Sequence, residues 1–126
     1  MEKRKILIVD DEEGFARVVK LNLEESGRYE IRTETKGVRA LQVARAFQPD
    51  LILLDVVMPD ISGPEVAREI KADKSIQHIP IVFLTAAELK GAGVGDQGSA
   101  NWLPFIAKPV GTKELIAHIE KHIQKS

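Results

Sequence analysis

Asp50-Leu51-Ile52-Leu53-Leu54-Asp55-Val56-Val57-Met58-Pro59-Asp60-Ile61-Ser62-Gly63 carries a short apolar run that stops abruptly at a carboxylate. The run is too short for a typical globular helix. Bounded by turn residues, it suits a strand buried on both faces. Asp55 then stands at the carboxyl end of a central strand, the edge where open α/β sheets build their sites. Pro59 and Gly63 mark the following chain as a turn and the start of a new element.

Working outward, Lys5–Asp10 reads as a first strand, with Ile6-Leu7-Ile8-Val9 running into Asp10-Asp11. From Glu12 to Glu25, Phe15, Val18, Val19 and Leu23 recur at helical spacing; Asp11 is the expected N-cap, and Glu12 and Glu13 suit the helix dipole. Ser26-Gly27 stops this helix. Tyr29–Glu34 alternates apolar and charged residues, as a half-exposed edge strand does. Gly37–Gln48 places Ala40, Leu41, Ala44 and Phe47 on one helix face, and Pro49 ends it. Beyond the central strand, Gly63-Pro64 starts a third helix with Val66, Ala67 and Ile70 inward. Pro80 opens a fourth strand, Ile81 to Leu84, that ends at Thr85. Glycines at 91, 93, 95 and 98 each cost about 1 kcal/mol in a helix interior, so a short or frayed helix is expected over 86–101. Leu103–Ala107 reads as a fifth strand. Thr112 is the expected cap of a last helix whose Leu115, Ile116, Ile119 and Ile123 face inward.

Strands alternating with helices imply one parallel sheet with helices on both faces and right-handed crossovers. The 126 residues show no repeat and no linker, so residues 1–126 are read as a single domain. A net charge of −1 gives no global pull toward nucleic acid or membrane. The absence of cysteine excludes disulfides, thiolate metal sites and a cysteine nucleophile. No apolar run approaches a membrane span and no signal-peptide core is present, so the expected location is cytoplasmic.

In a parallel sheet every carboxyl end lies on one edge. Asp10-Asp11, Asp55, Thr85 and Lys108 each stand at or just after such an end, so four strands deliver carboxylates, a hydroxyl and an ammonium to one rim. Clustered carboxylates raise one another's pKa unless a cation joins them. An all-oxygen set suits a hard ion, Mg2+ before Zn2+ or Cu2+.

The segments Ile6-Leu7-Ile8-Val9-Asp10-Asp11-Glu12, Leu51 through Gly63, Ile81-Val82-Phe83-Leu84-Thr85-Ala86 and Ile106-Ala107-Lys108-Pro109 together resemble the receiver domain of two-component response regulators, of the chemotaxis-regulator type. The likeness covers essentially the whole chain. Each segment is weakly specific; their order and spacing together are highly specific. The resemblance implies a doubly wound, flavodoxin-like five-stranded parallel sheet of order 2-1-3-4-5. It implies that Asp55 accepts a phosphoryl group from a histidine kinase, a phosphotransfer protein or a small phosphodonor. Asp11 matches a direct Mg2+ ligand, Asp10 its partner through water, and the Val57 backbone carbonyl a third protein ligand. Thr85 and Lys108 match the groups that bind phosphoryl oxygens, Phe105 the aromatic that moves when Thr85 does, and Lys108-Pro109 a cis peptide. The chain is then a signalling switch rather than an enzyme, catalysing only its own phosphorylation and dephosphorylation. It is either a stand-alone regulator or a domain of a longer one, and a homodimer is left open.

Each residue also has a plainer reading. Asp10 to Glu13 alone would be a helix cap with an acidic first turn, Lys108 alone a solvated lysine, and Phe105 simple core. Their convergence on one rim favours the site. Trp102 reads as packing for the loop before the last strand. Glu114, His118 and His122 share a helix face that reads as solvated, and the basic termini read as solubilising. Val57 and Ala87, which flank the site, offer no amide or acid to position a hydrolytic water, so slow self-dephosphorylation is expected. A magnesium-dependent aspartyl phosphatase leaves Asp55 unexplained. A receiver-like binding module would be expected to lack a site residue. A flavin domain is disfavoured, because acids follow the first strand where a phosphate loop is needed.

Overall fold

The computed structural model describes residues 3–86, 104–108 and 111–123. In chain order the elements are β1 (Arg4–Val9), α1 (Glu13–Glu25), β2 (Tyr29–Glu34), a 3-10 turn (Gly37–Arg39), α2 (Ala40–Phe47), β3 (Leu51–Asp55), α3 (Gly63–Lys71), β4 (Ile81–Ala86), β5 (Phe105–Lys108) and α4 (Thr112–His122). All strand pairs are parallel, and the order is β2-β1-β3-β4-β5. This is the doubly wound sheet expected from the sequence, with β3 in the middle and the alternating β2 at an edge.

The central strand β3 and the apolar stretches of β1 and β4 beside it are continuous because the sheet is covered on both faces there. Leu7, Val9, Ile52, Leu54, Ile81 and Phe83 pack under α2 and α3. Ile6, Ile8, Leu51, Leu53, Val82, Leu84 and Ile106 pack under α1 and α4. Period-two alternation in β1, β3 and β4 therefore sorts side chains between two cores, whereas in the edge strand β2 it sorts Tyr29 and Ile31 inward and Glu30 and Arg32 to water.

Several local expectations are corrected. Asp11 does not cap α1: the N-cap is Glu12, and Asp10 Oδ1 accepts from the Glu12 N–H at 2.9 Å. Asp10 thereby closes the turn ahead of the helix, and the N-cap itself makes no side-chain cap bond; Asp10 is buried against this turn while Asp11 faces solvent. Val18 is 56% exposed, and Ala16 takes its place in the buried stripe of α1. The second helix opens as a 3-10 turn, whose Val38 N–H is bound by Asp60 Oδ2 at 3.0 Å from the other side of the rim. Gly111, not Thr112, is the N-cap of α4. β5 begins at Phe105 and includes Lys108, which the sequence reading put just beyond the strand. The glycine-rich stretch after Ala86, Ala87, Trp102 and the Lys108-Pro109 bond lie outside the described residues. Among the described residues no helix is long and apolar enough to cross a membrane.

The single tyrosine ties an edge of the sheet to the last helix. Tyr29 of β2 is fully buried, and its hydroxyl donates to the Glu120 carboxylate on α4. Burial first, then the Glu120 carboxylate, push its pKa up to about 12. An unfolded tyrosine ionises near pH ~10, so the folded state holds its proton longer. The associated stability is complete below about pH 10 and is lost as pH rises toward about 12. With one tyrosine in the chain, tyrosinate absorbance reads this group alone. The expected midpoint lies near 12 and falls in Glu120→Gln; a midpoint near 10 in the folded protein would contradict the contact.

Candidate functional site

β1 and β3 end side by side. Val9 pairs with Leu54, Asp55 with Leu84, and Ala86 with Lys108. Asp10 continues β1, with its N–H donating to the Glu34 carbonyl at 3.0 Å. The strand ends thus bring Asp10, Asp55, Thr85 and Lys108 to one rim, as the sequence reading expected. Asp10 and Thr85 are fully buried, and Asp55 is 6% exposed. Asp11 is exposed, yet its carboxylate reaches the same point: one oxygen from each of Asp10, Asp11 and Asp55 lies within 4.8 Å of the others.

Three carboxylates share one ammonium. Lys108 Nζ stands 2.7 Å from Asp10 Oδ2, 2.9 Å from Glu12 Oε1 and 3.5 Å from Asp55 Oδ1. It also lies 4.7 Å from the centre of the Phe15 ring on α1, within range of a cation–π attraction. Burial opposes the charge on Lys108, but Asp10, Glu12 and Asp55 outweigh it and hold the ammonium protonated well above the usual lysine range. Asp55 is pushed the other way. Burial and the Asp10 carboxylate raise its pKa to about 7, with Lys108 opposing and Asp11 adding to the rise. Asp10 is also raised, by burial, against the pull of Lys108 and the Glu12 N–H. Asp10 Oδ2 is buried with no further hydrogen-bond donor among the described residues, its one cationic neighbour there being the Lys108 ammonium at 2.7 Å. Acceptor-only groups, all oxygen, with one buried oxygen lacking a further donor, fit a hard divalent cation better than a soft one.

Two features of the rim were not singled out as functional in the sequence. Glu12 was read as part of the acidic first turn and given no role at the rim, yet it bonds Lys108. Its position directly after Asp10-Asp11, opening α1 at the rim, was the available signal. Gly63 was read as a turn marker, but the first residue of α3 passes directly under the end of β3. Its N–H donates to the Val56 carbonyl at 2.7 Å, and a Cβ there would stand 2.2 Å from the Asp55 carbonyl oxygen. Ser62 caps α3 by accepting from the Glu65 N–H at 3.3 Å, with Pro64 in the first turn. These contacts fix the loop that carries Val57, whose side chain is 59% exposed.

Phe105 pairs with Phe83 in the register, and Thr85 with Ala107. Alternation puts Thr85, Phe83 and Phe105 on the α2–α3 side of the sheet. Phe105 is partly buried against that core. The structure therefore sets the two expected switch residues on one face, two register steps apart.

Comparison with known proteins agrees with this geometry. Residues 6–120 match the family model described as the response regulator receiver domain. The polar-differentiation response regulator DivK of Brucella ovis is 35% identical over 121 residues, which cover 95% of this chain and 96% of that protein. Among solved structures, the chemotaxis protein CheY4 of Vibrio cholerae superposes with a TM-score of 0.80 at 25% identity, covering 97% of this chain and 100% of that one. A response regulator from Desulfuromonas acetoxidans gives 0.81 at 25% identity, covering 94% of each. With the sheet order, the acidic rim and these likenesses in agreement, the chain belongs to the response regulator receiver domain family of two-component signalling.

Proposed function

We propose that Asp55 accepts a phosphoryl group, from a histidine kinase, a phosphotransfer protein or a small phosphodonor, in a reaction that depends on Mg2+. The observation that carries this reading is the meeting of Asp10, Asp11 and Asp55 with the Lys108 ammonium at the carboxyl edge of the sheet. An Asp55 carboxylate oxygen forms the new P–O bond as the donor's bond to phosphorus breaks, and the imidazole or carboxylate of the donor leaves. Such a transfer needs an in-line nucleophile and compensation of charge on the equatorial oxygens. Asp10, Asp11, Asp55 and the Val57 carbonyl would hold Mg2+, which when bound supplies charge that favours the ionised form of Asp55 and balances the phosphoryl oxygens. Lys108, already within 3.5 Å of Asp55 Oδ1, donates to one phosphoryl oxygen. The Thr85 hydroxyl donates to another, and the space it leaves is taken by Phe105. A phosphoryl group acts as a switch by binding one of these two arrangements better.

The exposed, apolar Val57 offers nothing to orient a hydrolytic water, so the aspartyl phosphate is expected to decay slowly. Incubation with acetyl phosphate and MgCl2, followed by borohydride trapping and peptide mapping, tests both points. The label is expected on Asp55, and its time course after donor removal gives the lifetime. A label on another residue would reject the assignment, and rapid loss would reject the role given to Val57.

A further inference from the structure

The Lys108 ammonium has three protons and faces three carboxylates. Asp10 is fully buried and fixed by β1. Asp55 is the most distant of the three, at 3.5 Å. Glu12 is different in kind: its side chain is 63% exposed, while that of Lys108 is only 12% exposed, yet it makes a hydrogen bond of 2.9 Å to the ammonium. Glu12 reaches Lys108 from the solvent side at the start of α1, where Phe15 also flanks the ammonium. The pull on Lys108 is therefore divided among Asp55, the buried Asp10 and an exposed carboxylate whose side chain makes no cap bond to α1.

We propose that Glu12 is a positioning residue that competes with the phosphoryl group for Lys108. This rests on the reading of Asp55 as phosphoacceptor. A phosphoryl oxygen on Asp55 requires one of the ammonium protons, and Glu12 is the partner that can give one up, because its side chain is long, exposed and free to turn into water. While engaged, its charge also opposes the arrival of a phosphate dianion. Glu12 thus lowers the domain's retention of a phosphoryl group from any donor, and its removal strengthens that retention. The weight of a single exposed ion pair sets the size at about two- to five-fold.

The test is the affinity for beryllofluoride, a phosphoryl analogue, with saturating MgCl2, followed by amide NMR in wild type, Glu12→Gln and Glu13→Gln. Glu13 is the matched control: it removes the same charge one residue along, but its carboxylate pairs with Arg17 at 3.0 Å. Glu12→Gln is expected to bind about two- to five-fold tighter than wild type, and Glu13→Gln to match wild type. A gain in affinity is not what a damaged fold produces. Unchanged or weaker binding in Glu12→Gln would overturn the competition, as would an equal gain in Glu13→Gln, which would assign the effect to net charge. If the wild type bound no beryllofluoride while remaining folded, the phosphoacceptor reading itself would fall and this inference with it.

Discussion

Asp55→Asn is expected to stabilise the protein in metal-free buffer, by about 2 kcal/mol, while removing its capacity to take up a phosphoryl group. The gain follows from the crowding of Asp10, Asp11 and Asp55, whose oxygens lie within 4.8 Å of one another at a largely buried rim. Two carboxylates at such a separation repel by roughly 3 kcal/mol at an effective dielectric near 20, and the single ammonium of Lys108 offsets part of this. Asparagine keeps the shape and removes one charge. The site is thus built at a cost to stability, as sites that must hold charge commonly are. Magnesium should reverse the comparison. A cation held by the three carboxylates stabilises the wild type in proportion to its occupancy, and the variant less. Urea unfolding in EDTA and in millimolar MgCl2 measures both effects. A variant less stable than wild type in EDTA would contradict this picture of the rim.

Gly63→Ala carries the largest expected loss. Its Cβ would lie 2.2 Å from the Asp55 carbonyl oxygen and 2.9 Å from Val56 Cα. Both are backbone atoms, so no side-chain rotation relieves the contact, and either α3 or the end of β3 must move. The expected destabilisation is about 3 kcal/mol, at the upper end of ordinary overpacking. Because the displaced strand end carries Asp55, phosphoryl uptake at the proposed acceptor should fall as well. Gly14→Ala provides the contrast. It lies in the first turn of α1, where an added Cβ meets no neighbouring element within 4 Å, and should stabilise by a few tenths up to about 1 kcal/mol through helix propensity. Urea unfolding of both variants decides. Equal stability of Gly63→Ala and wild type would mean that α3 does not press on β3 as described.

These two sites also show where the sequence was informative. β3 was legible because Leu51 to Leu54 is uniformly apolar and ends on a charge, a pattern that few other elements produce. The rim followed from topology: once the strands were parallel, Asp10, Asp55, Thr85 and Lys108 had to share an edge. What stayed hidden were contacts set by approach distances rather than by periodicity. A glycine after a serine reads the same whether it merely turns the chain or passes within van der Waals contact of a strand. Asp60 gave no sign that it would bind Val38, across the loop–turn contact. The acidic run before α1 suggested a carboxylate cap, but the N-cap Glu12 makes no side-chain cap bond, and the buried Asp10 closes the turn before it instead. Val18 was placed inward by spacing, but the buried stripe of α1 runs through Ala16, Val19 and Leu23 and leaves it exposed.

Intact mass after incubation with acetyl phosphate tests the central claim most directly, comparing wild type with MgCl2, wild type with excess EDTA, and Asp55→Asn with MgCl2. The account predicts one added phosphoryl group in the first sample and none in the other two. No addition to the folded wild type, or an addition that survives in Asp55→Asn, would contradict it.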